Sequence, residues 1–219
     1  MPDFAAARER MIEQHIAGRG IGDSRILKAF REVPRELFLA EADADAAYDD
    51  TPLPIAAGQT ISQPYIVALM IEAAGVRPDS HVLEIGAGSG YAAAVLGRIA
   101  KSVLAIERHA ELALAAAKRM ARLGYDNVRV VHGDGIVDVP QDASFDAILV
   151  AAAGWEVPHP LLEQLRLGGA LVMPLGSPDA AQQLIRVKLH VDGSIDQENL
   201  GAVRFVPLMP GIGGSDGRG

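Results

Sequence analysis

Short apolar runs alternate with helical patterns through most of the chain. Runs typical of buried parallel strands occupy residues 82–85, 103–107, 128–132, 145–151 and 170–175. The segments between them include helical patterns at 92–100, 109–123 and 158–167. Strands separated by helices imply a mostly parallel sheet covered on both faces, which is a three-layer, doubly wound α/β fold. Two last runs, 183–190 and 200–207, predict an antiparallel pair of strands after that sheet.

The first third of the chain has a different pattern, without long apolar runs. Apolar positions at helical spacing predict one helix within residues 4–16 and another at 25–33, the second stopped by Pro34. Residues 51–58 contain prolines and a glycine and no helical period, so we expect an extended loop there. A further helix is predicted at about 63–74, with Ser62 as its N-cap.

This change of pattern predicts the organisation of the chain. We expect an N-terminal helical and substrate-loop segment at 1–78 that packs on a core at 79–210. Residues 211–219 are rich in glycine and polar residues, and we expect them to form a flexible tail.

Composition narrows the classes of function. The 219 residues carry a formal net charge of −8, which argues against nonspecific nucleic-acid binding. Cysteine is absent, which excludes disulfides and thiolate nucleophiles, and the histidines show no spacing typical of a helical metal site, so we expect no metal. The first eleven residues have no apolar signal-peptide core and no apolar run is long enough for a membrane span. We expect a cytoplasmic monomer without a membrane partner.

The strongest chemical signal is the turn Gly86-Ala87-Gly88-Ser89-Gly90 after the strand at 82–85. A glycine turn between a strand and a helix lets the backbone approach a ligand closely, and it serves dinucleotides as well as other adenosine ligands. The predicted ligand contacts from this turn are Gly86, Gly88 and Gly90.

Acidic residues at the ends of three predicted strands define the ligand further. Glu84 precedes the turn, where a carboxylate suits a cation better than a pyrophosphate. Glu107 lies about 20 residues on, where an acid accepts hydrogen bonds from ribose hydroxyls. Asp134, after the third strand, is placed to meet an adenine amino group. Arg108 and Gly135, the neighbours of these acids, are added to the predicted cofactor contacts. From the three acids together we infer S-adenosylmethionine rather than a nicotinamide nucleotide as the bound cofactor.

The sequence resembles the protein-L-isoaspartate (D-aspartate) O-methyltransferase family over nearly its whole length. The motifs that carry the resemblance lie at residues 33–38, 53–55, 58–64, 82–91, 132–135, 164–169 and 203–208. The glycine block is common to many methyltransferases, whereas Thr-Ile-Ser-Gln-Pro at 60–64 and Val-Arg-Phe-Val-Pro-Leu at 203–208 are far more specific. Departures include Ala56, Ala87 and Ala92, where the family often has Gly, Thr and Gln.

The resemblance implies a class I, Rossmann-like methyltransferase that repairs damaged proteins. Such enzymes move a methyl group from S-adenosylmethionine to the α-carboxylate of an L-isoaspartyl residue, leaving S-adenosylhomocysteine. The ester then collapses to a succinimide, which hydrolyses partly to normal aspartyl. The partners implied are isoaspartyl-containing proteins and peptides, and the family's active-site serine corresponds to Ser62.

The chemistry fits a site without a catalytic dyad. A carboxylate with a reference pKa of roughly 3 to 4 is already ionised at neutral pH, so its attack on a methyl sulfonium needs orientation and exclusion of water rather than a base. Ser62 is expected to position that carboxylate, helped by N–H groups at the start of its helix. Thr60, Ile61 and Val206 are the other predicted substrate contacts. The loop at 53–62 and the strand at 203–208 are expected to bracket a peptide by main-chain hydrogen bonds.

Other interpretations remain open at this point. Ser62 can be a plain helix cap, and Trp155 can either line the mouth of the site or pack elsewhere. The enzyme can methylate one dedicated aspartate in a single peptide partner. The chain can also be a noncatalytic binder of an adenosine ligand, or, as the weakest alternative, a nicotinamide oxidoreductase.

Overall fold

The computed structural model describes residues 3–140, 143–177 and 180–212. Its first helical region is continuous but changes type along its length. Helix α1 (Phe4–Met11) runs into a π-helical turn and then a short 3₁₀ turn, and the whole region ends at Gly20, whose φ of 100° requires glycine. Helix α2 (Ser24–Glu32) follows. The Asp23 side chain caps it by accepting a 2.8 Å hydrogen bond from the Arg25 amide.

A small hairpin precedes the next helix. Strands β1 (Leu53–Pro54) and β2 (Thr60–Ile61) pair antiparallel, with a 3₁₀ turn at Ala56–Gly58 between them, and helix α3 (Pro64–Ala73) begins three residues later. The predicted extended loop is therefore an ordered hairpin. Strands of two residues are too short to show an alternating pattern, which explains why the apolar pattern did not predict them.

A seven-stranded sheet forms the centre of the molecule. Its strands are β3 (His81–Ile85), β4 (Ser102–Glu107), β5 (Val128–His132), β6 (Phe145–Val150), β7 (Leu165–Leu175), β8 (Gln182–Leu189) and β9 (Ile195–Val203). The spatial order is β5-β4-β3-β6-β7-β8-β9, and the first five strands are parallel while β8 and β9 continue antiparallel. The predicted mostly parallel α/β fold with an antiparallel end is confirmed.

Helices cover both faces of this sheet. The remaining ones are α4 (Tyr91–Gly97), α5 (Ala110–Arg122) and α6 (His159–Glu163). Successive residues of a strand point to opposite faces, and they enter two separate apolar cores. Val82 packs with residues of α2, α3 and α4, whereas Leu83 packs with Leu161 of α6. The two cores explain why the parallel strands are apolar without alternation.

The N-terminal segment shares the larger of these cores. Phe30 and Phe38 are fully buried and meet the ring of Tyr91 edge-on, with ring centroids 6.1 and 5.4 Å apart. Tyr91 begins α4, directly after the glycine turn. The N-terminal segment is therefore packed against the element that carries the predicted cofactor turn.

Two predicted boundaries near the end of the chain are wrong. The helix predicted to reach residue 167 stops at Glu163, and β7 already begins at Leu165. Gly168 and Gly169 lie in an irregular part of β7 rather than ending a helix. A Cβ on Gly169 would come within 2.9 Å of the Asp146 carbonyl oxygen, so the close strand pairing there requires glycine.

The last strand lies earlier than predicted. Strand β9 covers Ile195–Val203 instead of 200–207. It is an edge strand with mostly exposed residues, so the apolar alternation that marks a half-buried strand is absent. Most of the predicted flexible tail, residues 213–219, lies outside the described residues. Among the described residues, no helix has the length and apolar character needed to cross a membrane.

Candidate active site

A cavity of about 540 Å³ opens at the carboxyl ends of β3, β4 and β6, with residues that follow β5 in its wall. Open parallel sheets bind ligands at this edge. The predicted site residues that line it are Thr60, Ile61, Ser62, Glu84, Gly86, Gly88, Glu107, Arg108, Asp134, Gly135 and Val206. The sequence did not single out several others, including Gln59, His109, Ala152 and Met209.

The glycine turn forms one wall of the cavity. Gly86, Gly88 and Gly90 have φ values of 85°, 53° and 84°, a region that side chains with a Cβ rarely adopt. Gly90 is the one predicted site residue that does not line the cavity. A Cβ at Gly90 would lie 3.2 Å from both Ala116 and Met120, so this glycine lets α4 start close against α5.

Glu107 ties the end of β4 to the glycine turn. Its Oε2 accepts a 2.8 Å hydrogen bond from the Gly88 amide and its Oε1 accepts a 2.9 Å bond from the His109 amide. The residue is only 4% exposed. Each carboxylate oxygen can accept more than one hydrogen bond, so Glu107 keeps lone pairs available to a ligand at the cavity wall.

Glu84 is the most unusual ionisable group of the site. It is 2% exposed and lines the cavity, and its Oε2 has no hydrogen-bond partner among the described residues. Burial, reinforced by the charge of Glu107, raises the pKa of Glu84 to about 8. An unpaired buried carboxyl is costly, and an ammonium group brought by a ligand would satisfy it.

Asp134 lies at the far end of the cavity and is held in place from two sides. Its Oδ1 accepts a 2.8 Å bond from the Ile136 amide, and its Oδ2 accepts a 2.5 Å bond from the Gly211 amide. Arg108 Nε in turn donates to the Gly211 carbonyl oxygen at 3.4 Å. The C-terminal segment therefore closes over the predicted adenine end, a contact that local sequence patterns did not signal.

Ser62 lies between β2 and α3 and also lines the cavity. The prediction that it caps α3 is wrong, because the cap position is Gln63 and no side chain of the flanking residues provides the cap bond. The Tyr65 amide in the first turn of α3 donates instead to Asp50 Oδ1, at 3.1 Å. Within the described part of the chain, the Ser62 hydroxyl has no hydrogen-bond partner, so it remains available to a ligand.

The segment after β9 forms the remaining wall. Ala153 donates to the Val206 carbonyl oxygen and accepts from the Leu208 amide, both at 2.8 Å. Residues 205–209 thereby line the same cavity as the end of the β1–β2 hairpin. Trp155 neither lines the site nor packs in the interior, because it is outside the cavity lining and 76% exposed. The described residues contain no cluster of His, Asp and Glu able to hold a metal ion.

The topology, together with a ligand cavity at the strand ends, defines a class I S-adenosylmethionine-dependent methyltransferase fold. The structure matches that of a protein-L-isoaspartate O-methyltransferase from Plasmodium falciparum determined in complex with S-adenosyl-L-homocysteine. The TM-score is 0.79 at 26% identity, and the match covers 95% of this chain and 99% of that one.

The chain belongs to the protein-L-isoaspartate(D-aspartate) O-methyltransferase family, whose profile matches residues 6–212. A protein-L-isoaspartate O-methyltransferase of Rhodopseudomonas palustris is 55% identical over 91% of each chain. One from Methylorubrum extorquens is 52% identical over 99% of this chain and 94% of its own. The resemblance seen in the motifs, and the enzyme class and methyl donor predicted with it, are confirmed.

Proposed function

We propose that the protein transfers a methyl group from S-adenosylmethionine to the α-carboxylate of L-isoaspartyl residues in damaged proteins. The observation that carries the proposal is that one cavity is lined by two polar groups without partners among the described residues. One is the buried Glu84 carboxyl and the other is the Ser62 hydroxyl. The first suits a cationic donor and the second suits an anionic acceptor.

The donor end of the cavity has residues that match each part of the donor. Glu84 pairs with the amino group of its methionine part, and Glu107 accepts the ribose hydroxyls. Asp134 and Gly135 hold the adenine, while Gly86 and Gly88 let the backbone approach closely. Arg108 completes the rim beside the adenine. When bound, the donor supplies a methyl group made electrophilic by its sulfonium centre.

The acceptor end needs no acid or base. The isoaspartyl carboxylate is ionised at neutral pH and brings its own nucleophilic oxygen. Ser62 donates a hydrogen bond to the other oxygen of that carboxylate and fixes its direction towards the donor. The backbones at Thr60, Ile61 and Val206 hold the peptide by main-chain bonds, which tolerate varied sequences as a repair enzyme requires.

The rest of the proposal concerns where the enzyme works. We propose a monomer in the cytoplasm that requires neither nucleic acid nor a membrane. The net charge of −8 and the absence of cysteine support this setting. Light scattering of the purified protein gives the oligomeric state directly.

The test compares an isoaspartyl peptide with its aspartyl twin, using a labelled methyl donor. We expect transfer to the isoaspartyl peptide only. In Ser62→Ala, a lost hydrogen bond to a charged group, worth about 1.5–3 kcal/mol, lowers kcat/KM roughly 10- to 150-fold. Binding of S-adenosylhomocysteine stays unchanged, because Ser62 is not among the proposed donor contacts.

Ser194→Ala is the matched control, because Ser194 bonds only within the exposed turn before β9. Donor binding without turnover on any isoaspartyl peptide would favour the noncatalytic binder. Turnover confined to one natural peptide would favour a dedicated substrate.

A further inference from the structure

We infer that Asp50 is a positioning residue that holds Ser62 in the acceptor end of the cavity. Asp50 is outside the cavity lining. The inference rests on the proposed role of Ser62, since Asp50 acts through the segment that carries this serine.

The Asp50 carboxylate makes three hydrogen bonds to two parts of the chain. Its Oδ1 accepts the Tyr65 amide at 3.1 Å, and its Oδ2 accepts Gln63 Nε2 at 2.7 Å. Oδ2 also accepts Arg19 Nη1 at 2.9 Å, which makes an ion pair. The Asp50 side chain is only 11% exposed, so water screens these charge-assisted bonds less than bonds at an open surface.

These bonds close the base of the β1–β2 hairpin. Asp50 lies just before β1, whereas Gln63 and Tyr65 lie just after β2. Ser62 is the residue between β2 and Gln63. The two-residue strands hold the hairpin by few bonds of their own, so the Asp50 carboxylate fixes how Ser62 enters the cavity.

Asp50 also takes over the task that the sequence suggested for Ser62. A carboxylate at the N-terminus of a helix satisfies a free amide and interacts favourably with the helix dipole. Because Asp50 caps α3 from outside the helix, the Ser62 hydroxyl is not used as a cap. The same bond occupies the Tyr65 amide, one of the N–H groups at the start of this helix, which as a group were expected to help bind the substrate anion.

Arg19 orients the carboxylate from the N-terminal segment. Its guanidinium carbon lies 3.4 Å from the centroid of the Tyr65 ring, so the arginine stacks on the same residue whose amide Asp50 binds. One carboxylate thus joins the N-terminal helical region, the hairpin and α3. A role limited to overall stability would not require this convergence beside Ser62.

The test is a double-mutant cycle between Asp50→Ala and Ser62→Ala, measured as kcat/KM on an isoaspartyl peptide. We expect Asp50→Ala alone to lower kcat/KM about 10- to 100-fold, while the affinity for S-adenosylhomocysteine changes less than twofold. In the Ser62→Ala background we expect Asp50→Ala to add less than a twofold loss, because the residue it positions is already gone. Asp50→Asn keeps an acceptor for the Tyr65 amide and should recover part of the loss.

Asp49→Ala is the matched control. Asp49 is the neighbouring acid in the same turn, and its side chain is exposed and makes no bond within the described residues. We expect it to behave like the unchanged protein in every assay.

Hydrogen exchange supplies a readout independent of methyl transfer. In Asp50→Ala the amides of residues 60–66 should exchange faster, while those of β4 keep their rates. The positioning role would be overturned if the kcat/KM losses of the two single variants multiplied in the double variant. A parallel fall in donor affinity would overturn it too. Unchanged exchange at 60–66 would overturn it as well. If the unaltered protein fails to methylate isoaspartyl peptides, the proposed function fails, and the exchange result still decides whether Asp50 holds the segment.

Discussion

The two ends of the cavity are built in different ways. At the donor end, Glu84 and Glu107 lie on central strands and are 2% and 4% exposed, with the sheet on either side of them. At the acceptor end, Ser62 follows a hairpin with two-residue strands, and the facing wall at 205–209 has already left the sheet. The donor end therefore belongs to the core of the fold, whereas the acceptor end is attached to it.

The difference separates stability from activity. Changes at donor-end groups that bond or pack within the fold, such as Glu107 and Gly135, should lower donor binding and the free energy of unfolding together. Changes at the acceptor end, such as Ser62→Ala, remove a group that has no hydrogen-bond partner among the described residues. They should lower turnover and leave the unfolding free energy nearly unchanged.

The largest expected effect is that of Glu107→Ala. With Glu107 in its proposed role, the change removes two charge-assisted hydrogen bonds to ribose, worth about 1.5–3 kcal/mol each, so affinity for S-adenosylhomocysteine should fall about a hundredfold or more by calorimetry. It also leaves the Gly88 and His109 amides without their acceptor, so the melting temperature should fall. Glu111→Ala, an exposed acid in the first turn of α5, is the control. A Glu107 variant with full stability would contradict the contrast between the two ends.

Gly135→Ala tests the packing of the donor end. The added Cβ would lie 2.4 Å from Ile85 Cγ2, at the end of β3, so side chain or backbone must shift. Overpacking of this kind costs about 1–3 kcal/mol of unfolding free energy. Chemical denaturation measures the loss, and Gly22→Ala, whose Cβ would meet open space, should show none. Equal stability of the two variants would show that the packing around Gly135 adjusts to an added Cβ at little cost in unfolding free energy.

The pH dependence of donor binding follows from Glu84. With its pKa raised to about 8, this carboxyl is mostly neutral at pH 7 in the free protein and must lose its proton to pair with an ammonium group. Affinity for S-adenosylhomocysteine should therefore rise up to about tenfold per pH unit as pH approaches 8, equivalent to about 1.4 kcal/mol per unit. Titration calorimetry at several pH values measures this slope. In Glu84→Gln the slope should disappear, and its persistence would assign the proton to another group.

The raised pKa of Glu84 also makes the stability of the free protein depend on pH, but stability falls as pH rises whereas donor affinity increases. A neutral Glu84 is favoured in the fold, so its contribution to stability is full below about 4.5 and declines as pH rises towards 8. Glu84→Gln should remove this decline in thermal melts without ligand. The carboxylate that suits the donor is thus a cost to the empty fold.

The smallest effect is expected in the hairpin. Ala57 has φ of 56°, a left-handed conformation that costs a residue with a Cβ about 1–2 kcal/mol. Ala57→Gly relieves this strain but adds freedom to the unfolded chain, so stability should rise by less than about 1 kcal/mol in denaturant titrations. Ala56→Gly is the control and should not stabilise, because Ala56 lies outside that region. A large change in melting temperature from either variant would mean that the hairpin is part of the core.

The same contrast explains what the sequence revealed. The donor end follows from a strand, a glycine turn and acids at fixed positions after strands, all of which are local patterns. Asp50 left no such signal, because its partners lie 13 and 15 residues ahead and 31 residues behind. The cap predicted at Ser62 was wrong for the same reason: a distant carboxylate takes the place that local rules give to the serine.

The fold itself was predictable where burial leaves a pattern. Strands β3 to β6 carry short apolar runs, and these runs were placed within about one residue. Strand β9 and the start of β7 were misplaced because one has polar residues on an exposed edge and the other contains a glycine pair that resembles a helix stop. The division at residues 78 and 210 stays a prediction.

The position of residues 205–209 in the chain has a consequence for synthesis of the protein. The donor end is made of residues between Glu84 and Ala152, but the facing acceptor wall comes after β8 and β9. During translation, every strand that carries donor residues is therefore made well before the segment that encloses a peptide. We therefore expect peptide methylation only from chains that extend through residues 205–209.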